Sequence, residues 1–136
     1  MFTHIETPDL PKIEQINKPN GLRFYKTPEG NEYPSVTTIL GAKEKPGLER
    51  WRQMLGEDKA AKETKRCADR GTAVHEMAEK YLNNEEIITK NYKPEHVGDF
   101  NKLKFALNKI DNIRRQEVGL YSDMFQYAGT VDCVAD

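Results

Sequence analysis

Two short stretches hold side chains that could bind a metal ion: "RGTAVHEMAEKYL", residues 70–82, and "YAGTVDCVAD", residues 127–136. In the first, His75 and Glu79 fall one helical turn apart beside apolar residues. A neutral imidazole is a common ligand for a divalent ion, and a helix would hold it rigidly. In the second, Asp132 interrupts an apolar, strand-like run. An ionised carboxylate is costly to bury there unless it is paired or coordinates a cation. Strand alternation would turn Val131 and Cys133 away from Asp132, and Gly129-Thr130 would leave room for a phosphate. Together His75 and Asp132 suggest a divalent-cation site, with Glu79 as a nearby acid.

Plainer assignments compete with each. A histidine at the rim of an apolar face is usually a packing residue, and Glu79 at i+4 could satisfy it for about 0.2–0.5 kcal/mol. Asp132 could sit exposed at a strand end or bond the preceding turn. "HEMAE" also invites comparison with the zinc-protease helix, but Glu79 stands where a second histidine is required, so a metalloprotease is excluded.

The elements that must position these residues can be read from pattern. Asp58 to about Leu82 favours a helix, since Ala, Lys, Glu and Met dominate and no proline interrupts. On it Val74, Met77, Ala78 and Tyr81 form a stripe to be buried, with His75 just outside its edge. Gly71 lacks a side chain one turn before His75, which predicts a close neighbour there. Toward the end, alternation predicts two strands joined near Tyr127-Ala128-Gly129.

Upstream, residues 1–20 contain Pro8, Pro11 and Pro19 and read as an extended arm with little structure of its own. Residues 21–136 form the domain proper. "TPEGN" between two short runs predicts a hairpin, and Ser35 can cap a helix carrying Val36, Ile39 and Leu40 up to Gly41. "LERWRQML" reads as a short amphipathic helix, residues 83–98 as a loop or lid, and Asp99 to Arg115 as a helix. Phe100, Leu103, Leu107, Ile110 and Ile113 would give that last helix its apolar stripe.

With 136 residues, 37% hydrophobic and 32% charged, the chain fits one polar globular domain. Its net charge of −1 excludes a global basic field. Charge is unevenly spread, however: Lys59, Lys62, Lys65, Arg66 and Arg70 recur at helical spacing and could line a DNA path, or form only a solvated face. The two cysteines lie in no CxxC motif, which points to reduced thiols in a cytosolic protein. The first residues lack the pattern of a secretion signal, and no apolar run reaches the ~18 residues of a membrane span. A soluble, cytoplasmic protein with no membrane partner is therefore expected.

Four stretches, "YPSVTTIL", "RGTAVHEMAEKYL", "EVGLYSD" and "YAGTVDCVAD", occur in an order that resembles the RecB-type PD-(D/E)XK exonucleases. Within them the likeness is to the group containing the mitochondrial genome maintenance exonuclease and small phage exonucleases. It runs from about residue 22 to residue 136. The resemblance implies an α+β fold: a mostly helical N-terminal part, then the first strands of a restriction-endonuclease-like mixed sheet. It implies Mg2+- or Mn2+-dependent hydrolysis of DNA phosphodiesters in repair, recombination or phage DNA processing, in a bacterial or phage-infected cell. His75 and Asp132 would be catalytic metal ligands, and Ser35, Thr37 and Thr72 would lie near the DNA. Glu117 would be an acid that begins the preceding strand. In the family another strand follows with an acid-x-Lys motif, and no residues follow Asp136 here. The sheet is thus expected to be incomplete and the chain alone inactive, unless a further segment or a second chain completes the site. The alternative is a nuclease-derived DNA-binding or interaction module without catalysis.

Overall fold

A computed structural model describes residues 1–136. It is an α+β structure that forms two compact units, each assembled from separated stretches of chain. No helix is long and apolar enough to cross a membrane.

One unit, Glu6–Glu44 with Arg114–Val134, holds the strands. Strands β1 (Glu14–Asn17), β2 (Arg23–Lys26) and β3 (Glu32–Pro34) form an antiparallel sheet in that order. The β2–β3 turn closes as "TPEGN" predicts: Thr27 N–H donates to Asn31 O, and Gly30 takes φ 90°, which glycine adopts without strain. Ser35 then caps the short helix α1 (Val36–Gly41) by accepting the Thr38 N–H at 3.0 Å. Strands β4 (Arg115–Ser122) and β5 (Tyr127–Val134) form a second antiparallel sheet. Both sheets are antiparallel where a mixed sheet was expected; parallel pairing is confined to two isolated bridges, Ser35 to Ala128 and His4 to Ile113.

This unit packs around tyrosines. Tyr25, Tyr33 and Ala128 are its buried centre, with Ile13 and Tyr121 against them. Buried phenols need partners, and Tyr25 Oη meets Thr130 Oγ1 at 3.0 Å while Tyr33 donates to Asp123. That bond, and then burial, push the Tyr33 phenol above its ordinary range. Gly119 on β4 is held to glycine by packing: an added Cβ would come within 2.6 Å of Ile13.

The other unit, Met1–Ile5, Lys45–Ile113 and Ala135–Asp136, is helical. It contains α2 (Pro46–Leu55), α3 (Glu57–Leu82) and α4 (Pro94–Leu107). Ala60, Met77, Leu82, Phe100, Leu107 and Ile113 are buried in it, and Met77 is fully covered. Of the expected α3 stripe, Met77 is buried and Val74, Ala78 and Tyr81 are half-buried. Tyr81 lies edge-on between Phe2 and Phe100, at 5.1 and 5.7 Å between ring centres.

Several expectations change. The first 20 residues are not a structureless arm. Glu14–Asn17 is a strand paired with β2, and Phe2 packs on Tyr81. The last helix begins at Pro94, a residue suited to a first helical position, so residues 94–98 of the expected lid are helix. It ends at Leu107 rather than Arg115. Ile113 extends the apolar spacing for a different reason: its backbone bonds Thr3 and Ile5, both at 2.8 Å, and its side chain is buried. The β4–β5 turn falls at residues 123–126, with Gln126 at φ 56°, so Tyr127-Ala128-Gly129 already belong to β5. The predicted faces of α1 and α2 are largely open, with Ile39, Leu40, Leu48 and Met54 exposed. An added Cβ on Gly71 would meet nothing within 4 Å, so no close neighbour explains that glycine.

Candidate metal centre

The β4–β5 ladder pairs Gln116 with Cys133 and Val118 with Val131. Glu117 therefore stands opposite Asp132, and cross-strand partners in an antiparallel ladder share a face. A ligand oxygen of Glu117 and one of Asp132 lie within 4.8 Å of each other. Both acids are exposed. The desolvation cost expected for Asp132 does not arise, because its face of the hairpin is open to solvent.

Two features still set this pair apart from ordinary surface acids. Like charges directly opposite on a sheet destabilise it by a few tenths of a kcal/mol or more. Glu117 also has φ 48°, in the left-handed region, within a strand. Such a conformation costs on the order of 1–3 kcal/mol for a residue with a side chain, and it clusters at functional sites. The strain falls on the residue that faces Asp132 and leaves the flanking register intact.

The pair opens into a groove of about 730 Å3 in the strand unit, lined among others by Arg23, Ser35, Thr37, Tyr121 and Thr130. Ser35, expected near the DNA, is buried, and its hydroxyl is engaged with Thr37, Thr38 and the Thr38 N–H. It builds the wall through its cap. Thr37 is exposed, and its hydroxyl bonds Ser35 Oγ at 2.9 Å. Cys133 points to the other face, and burial first, then the Asp132 charge, push its thiol up. Thiolate is the metal-binding form, so Cys133 makes a poor ligand and the donors are hard oxygens.

His75 and Glu79 lie one turn apart on α3, in the helical unit. The basic stripe on the same helix is mostly engaged. Lys65 pairs with Asp69 at 2.6 Å, Arg66 with Glu63 at 2.7 Å, and Arg70 with Asp99 at 2.6 Å. Lys62 is exposed, as is Thr72. Glu63 is held below its usual range chiefly by the Arg66 hydrogen bond, and Asp69 by that of Lys65.

Sequence reasoning missed Arg23. Period-two alternation puts Arg23 and Tyr25 on one face of β2, and the register puts Gln15 opposite Tyr25. All three line the groove with the acids. The signal was present in "RFY", but a lone arginine in a short strand looks like any solvated cation.

No protein-family model matches the chain, and no curated protein matches its sequence.

Proposed function

We propose that this chain carries the chemistry of a divalent-cation-dependent DNA nuclease of the RecB-type PD-(D/E)XK kind. The observation that carries the proposal is the pair Glu117 and Asp132, facing each other on β4 and β5 with Glu117 held in a strained backbone. The order of the four motifs supports it. Mg2+ and Mn2+ favour carboxylate and water oxygens, and two neighbouring carboxylates fit such an ion. When bound, the ion would neutralise the scissile phosphate and lower the pKa of the attacking water.

The protein's own residues have narrower tasks. Asp132 and Glu117 hold the ion. Thr37 lies exposed on the groove wall beside the path proposed for DNA, and Ser35 fixes it through the α1 cap. Lys62 and Thr72, with the paired Lys65, Arg66 and Arg70, supply a weaker contact from the helical unit. None of the strands bears an acid-x-Lys pair. A strand carrying one, in a continuation of this chain or in a second chain, would provide the remaining carboxylate and the lysine.

The test is a Mn2+ titration followed by calorimetry, with a cleavage assay on linear DNA beside it. The chain should bind Mn2+, and Asp132→Asn should weaken binding by about tenfold or more, as expected for a lost charged ligand. Cleavage by these residues alone should be weak and should rise when the lysine-bearing strand is supplied. Equal Mn2+ affinity in the parent and in Asp132→Asn would end the metal assignment. Mn2+ and DNA binding with no cleavage, even after the strand is added, would favour a binding module without catalysis.

A further inference from the structure

The turn end of the β4–β5 hairpin carries rings that the tyrosine centre of the strand unit does not use. Phe125, in the turn, is 67% exposed, and Tyr127, which opens β5, is 38% exposed. Their ring centres lie 6.2 Å apart, with the planes tilted by 39°. Leu120 and Met124 of the same hairpin are exposed as well. Exposed apolar side chains gathered in one place, rather than scattered singly, mark a contact surface.

The turn that holds Phe125 is fixed. Gln126 N–H donates to Ser122 O at 2.7 Å, and Phe125 N–H donates to Ser122 Oγ at 3.2 Å. Asp123 accepts the Tyr33 hydroxyl, and Gln126 takes its left-handed φ of 56°. A ring on such a preformed turn needs little further ordering when a partner lands on it. Tyr127 also lines the groove that contains Glu117 and Asp132. Four consecutive residues of β5, Gly129 to Asp132, line it too, so the groove follows the edge of the strand rather than one face. Tyr127, paired with Ser122, lies about five ladder positions from the acids, or about 17 Å at ~3.4 Å per residue. A DNA strand with one phosphate at the acids would bring a base several nucleotides away to the rings.

Exposed rings suit the faces of nucleobases. Every base has a π face, so stacking tolerates any sequence, and it adds no charge to the contact. A duplex keeps its bases stacked on one another and offers such rings only its ends. A wholly apolar partner fits less well, since Tyr127 lines a groove that also carries Arg23, Glu117 and Asp132. A nucleotide, apolar at its base and ionic at its phosphate, suits both. We propose that Phe125 and Tyr127 form a stacking platform for unpaired bases, which makes single-stranded DNA the substrate class of this groove. The inference rests on the nuclease reading and adds to it the strand state of the substrate and the residues that select it.

The experiment titrates the full chain, in Mn2+ and across a salt series, with three fluorescent probes. Two are single oligodeoxynucleotides of equal length, one of thymidines and one abasic throughout, and the third is a duplex. The parent should bind the thymidine strand about tenfold more tightly than the abasic one. Phe125→Ala and Tyr127→Ala should each lose about tenfold on the thymidine strand and nothing on the other two probes. The salt slope should stay as it was, because no charge is removed. Tyr127→Phe keeps the ring and should bind like the parent, as should Phe105→Ala, which removes an exposed ring of α4. Mn2+ affinity equal to that of the parent shows that each variant is folded. If both alanine variants bind the thymidine strand as the parent does, or weaken all three probes by one factor, the platform is overturned and the nuclease reading stands. The platform also falls if the parent sediments as a dimer that Phe125→Ala dissociates without loss of DNA binding, since the rings would then join two copies. A parent that binds none of the three probes overturns both readings.

Discussion

Arg70 and Arg23 are exposed arginines on regular elements, yet their surroundings differ. Arg70, on α3, closes on Asp99 of α4, and the neighbouring cations Lys65 and Arg66 close on acids of their own helix. Arg23, on β2, has hydroxyls beside it and acids only across an open groove. The helical unit answers most of its charges internally around an apolar centre of Met77, Phe100, Leu107 and Ile113. The strand unit has a smaller centre built on tyrosines, and it displays facing carboxylates at a strained residue. One unit buries the larger apolar centre, and the other sets two acids face to face. Surface ion pairs add little stability, so the difference lies less in energy than in where each unit places its charges.

The comparison predicts that the largest loss of stability comes from the helical centre. Met77 is fully covered between α3 and its neighbours. Truncation to alanine should cost about 2–5 kcal/mol, the usual range for a buried methionine in a centre that cannot collapse around the gap. Urea denaturation measures this directly. A cost below about 1 kcal/mol would mean that the α3–α4 packing is loose, and the contrast between the units would lose its basis.

Much of the packing unit was legible beforehand, because helix periodicity and burial report the same thing when an apolar stripe meets a core. The α3 span and its buried Met77 follow from spacing. The failure at residues 108–113 has the same origin: Ile110 and Ile113 continue the helical period, but Ile113 is buried by strand-like bonds to Thr3 and Ile5. Periodicity records burial without recording what covers it. In the strand unit Asp132 was legible as an acid in an apolar run, and the motif order pointed to Glu117. Their facing register was not legible, since it depends on a turn at residues 123–126 that lies earlier than "YAG" suggested. The left-handed backbone of Glu117 has no signature in residue type at all. Glycine or asparagine would have announced it, and glutamate does not.

Glu117 offers a sharper division, of intermediate size. Glu117→Gly removes the backbone strain and the facing charge together. Without divalent ions the variant should be more stable than the parent by about 1 kcal/mol, the relief of strain being partly offset by the flexibility of glycine in a strand. With Mn2+ in excess the order should reverse, because the parent alone gains stability from the ion. Glu117→Gln keeps the strained backbone and loses the charge, so it should lack the Mn2+ gain and recover only the few tenths of a kcal/mol owed to repulsion. Melting curves with and without Mn2+ separate the three. A glycine variant that is destabilised in metal-free buffer would show that the left-handed conformation is not strained here, and the site would lose one of its two distinguishing features.

The smallest effect is expected where the sequence looked most like a nucleic-acid surface. Arg66 is already paired with Glu63, and its guanidinium is held further above its usual range chiefly by that hydrogen bond. A phosphate would have to compete with Glu63 for it, so little counterion release remains to be gained there. Lys62 is the freer of the two, but it is a single exposed charge on a solvated face. Reversing both, as Lys62→Glu with Arg66→Glu, should weaken oligonucleotide binding only about two- to threefold, less than Phe125→Ala does, and lower the salt slope by less than about 1. The same fluorescence titration reads all the variants, so their losses compare directly. A larger loss for the helix pair than for Phe125→Ala would invert the comparison. The α3 cations would then be the main contact to DNA, their ion pairs being exchanged for phosphates when it binds, and the strand unit would be left with the metal alone.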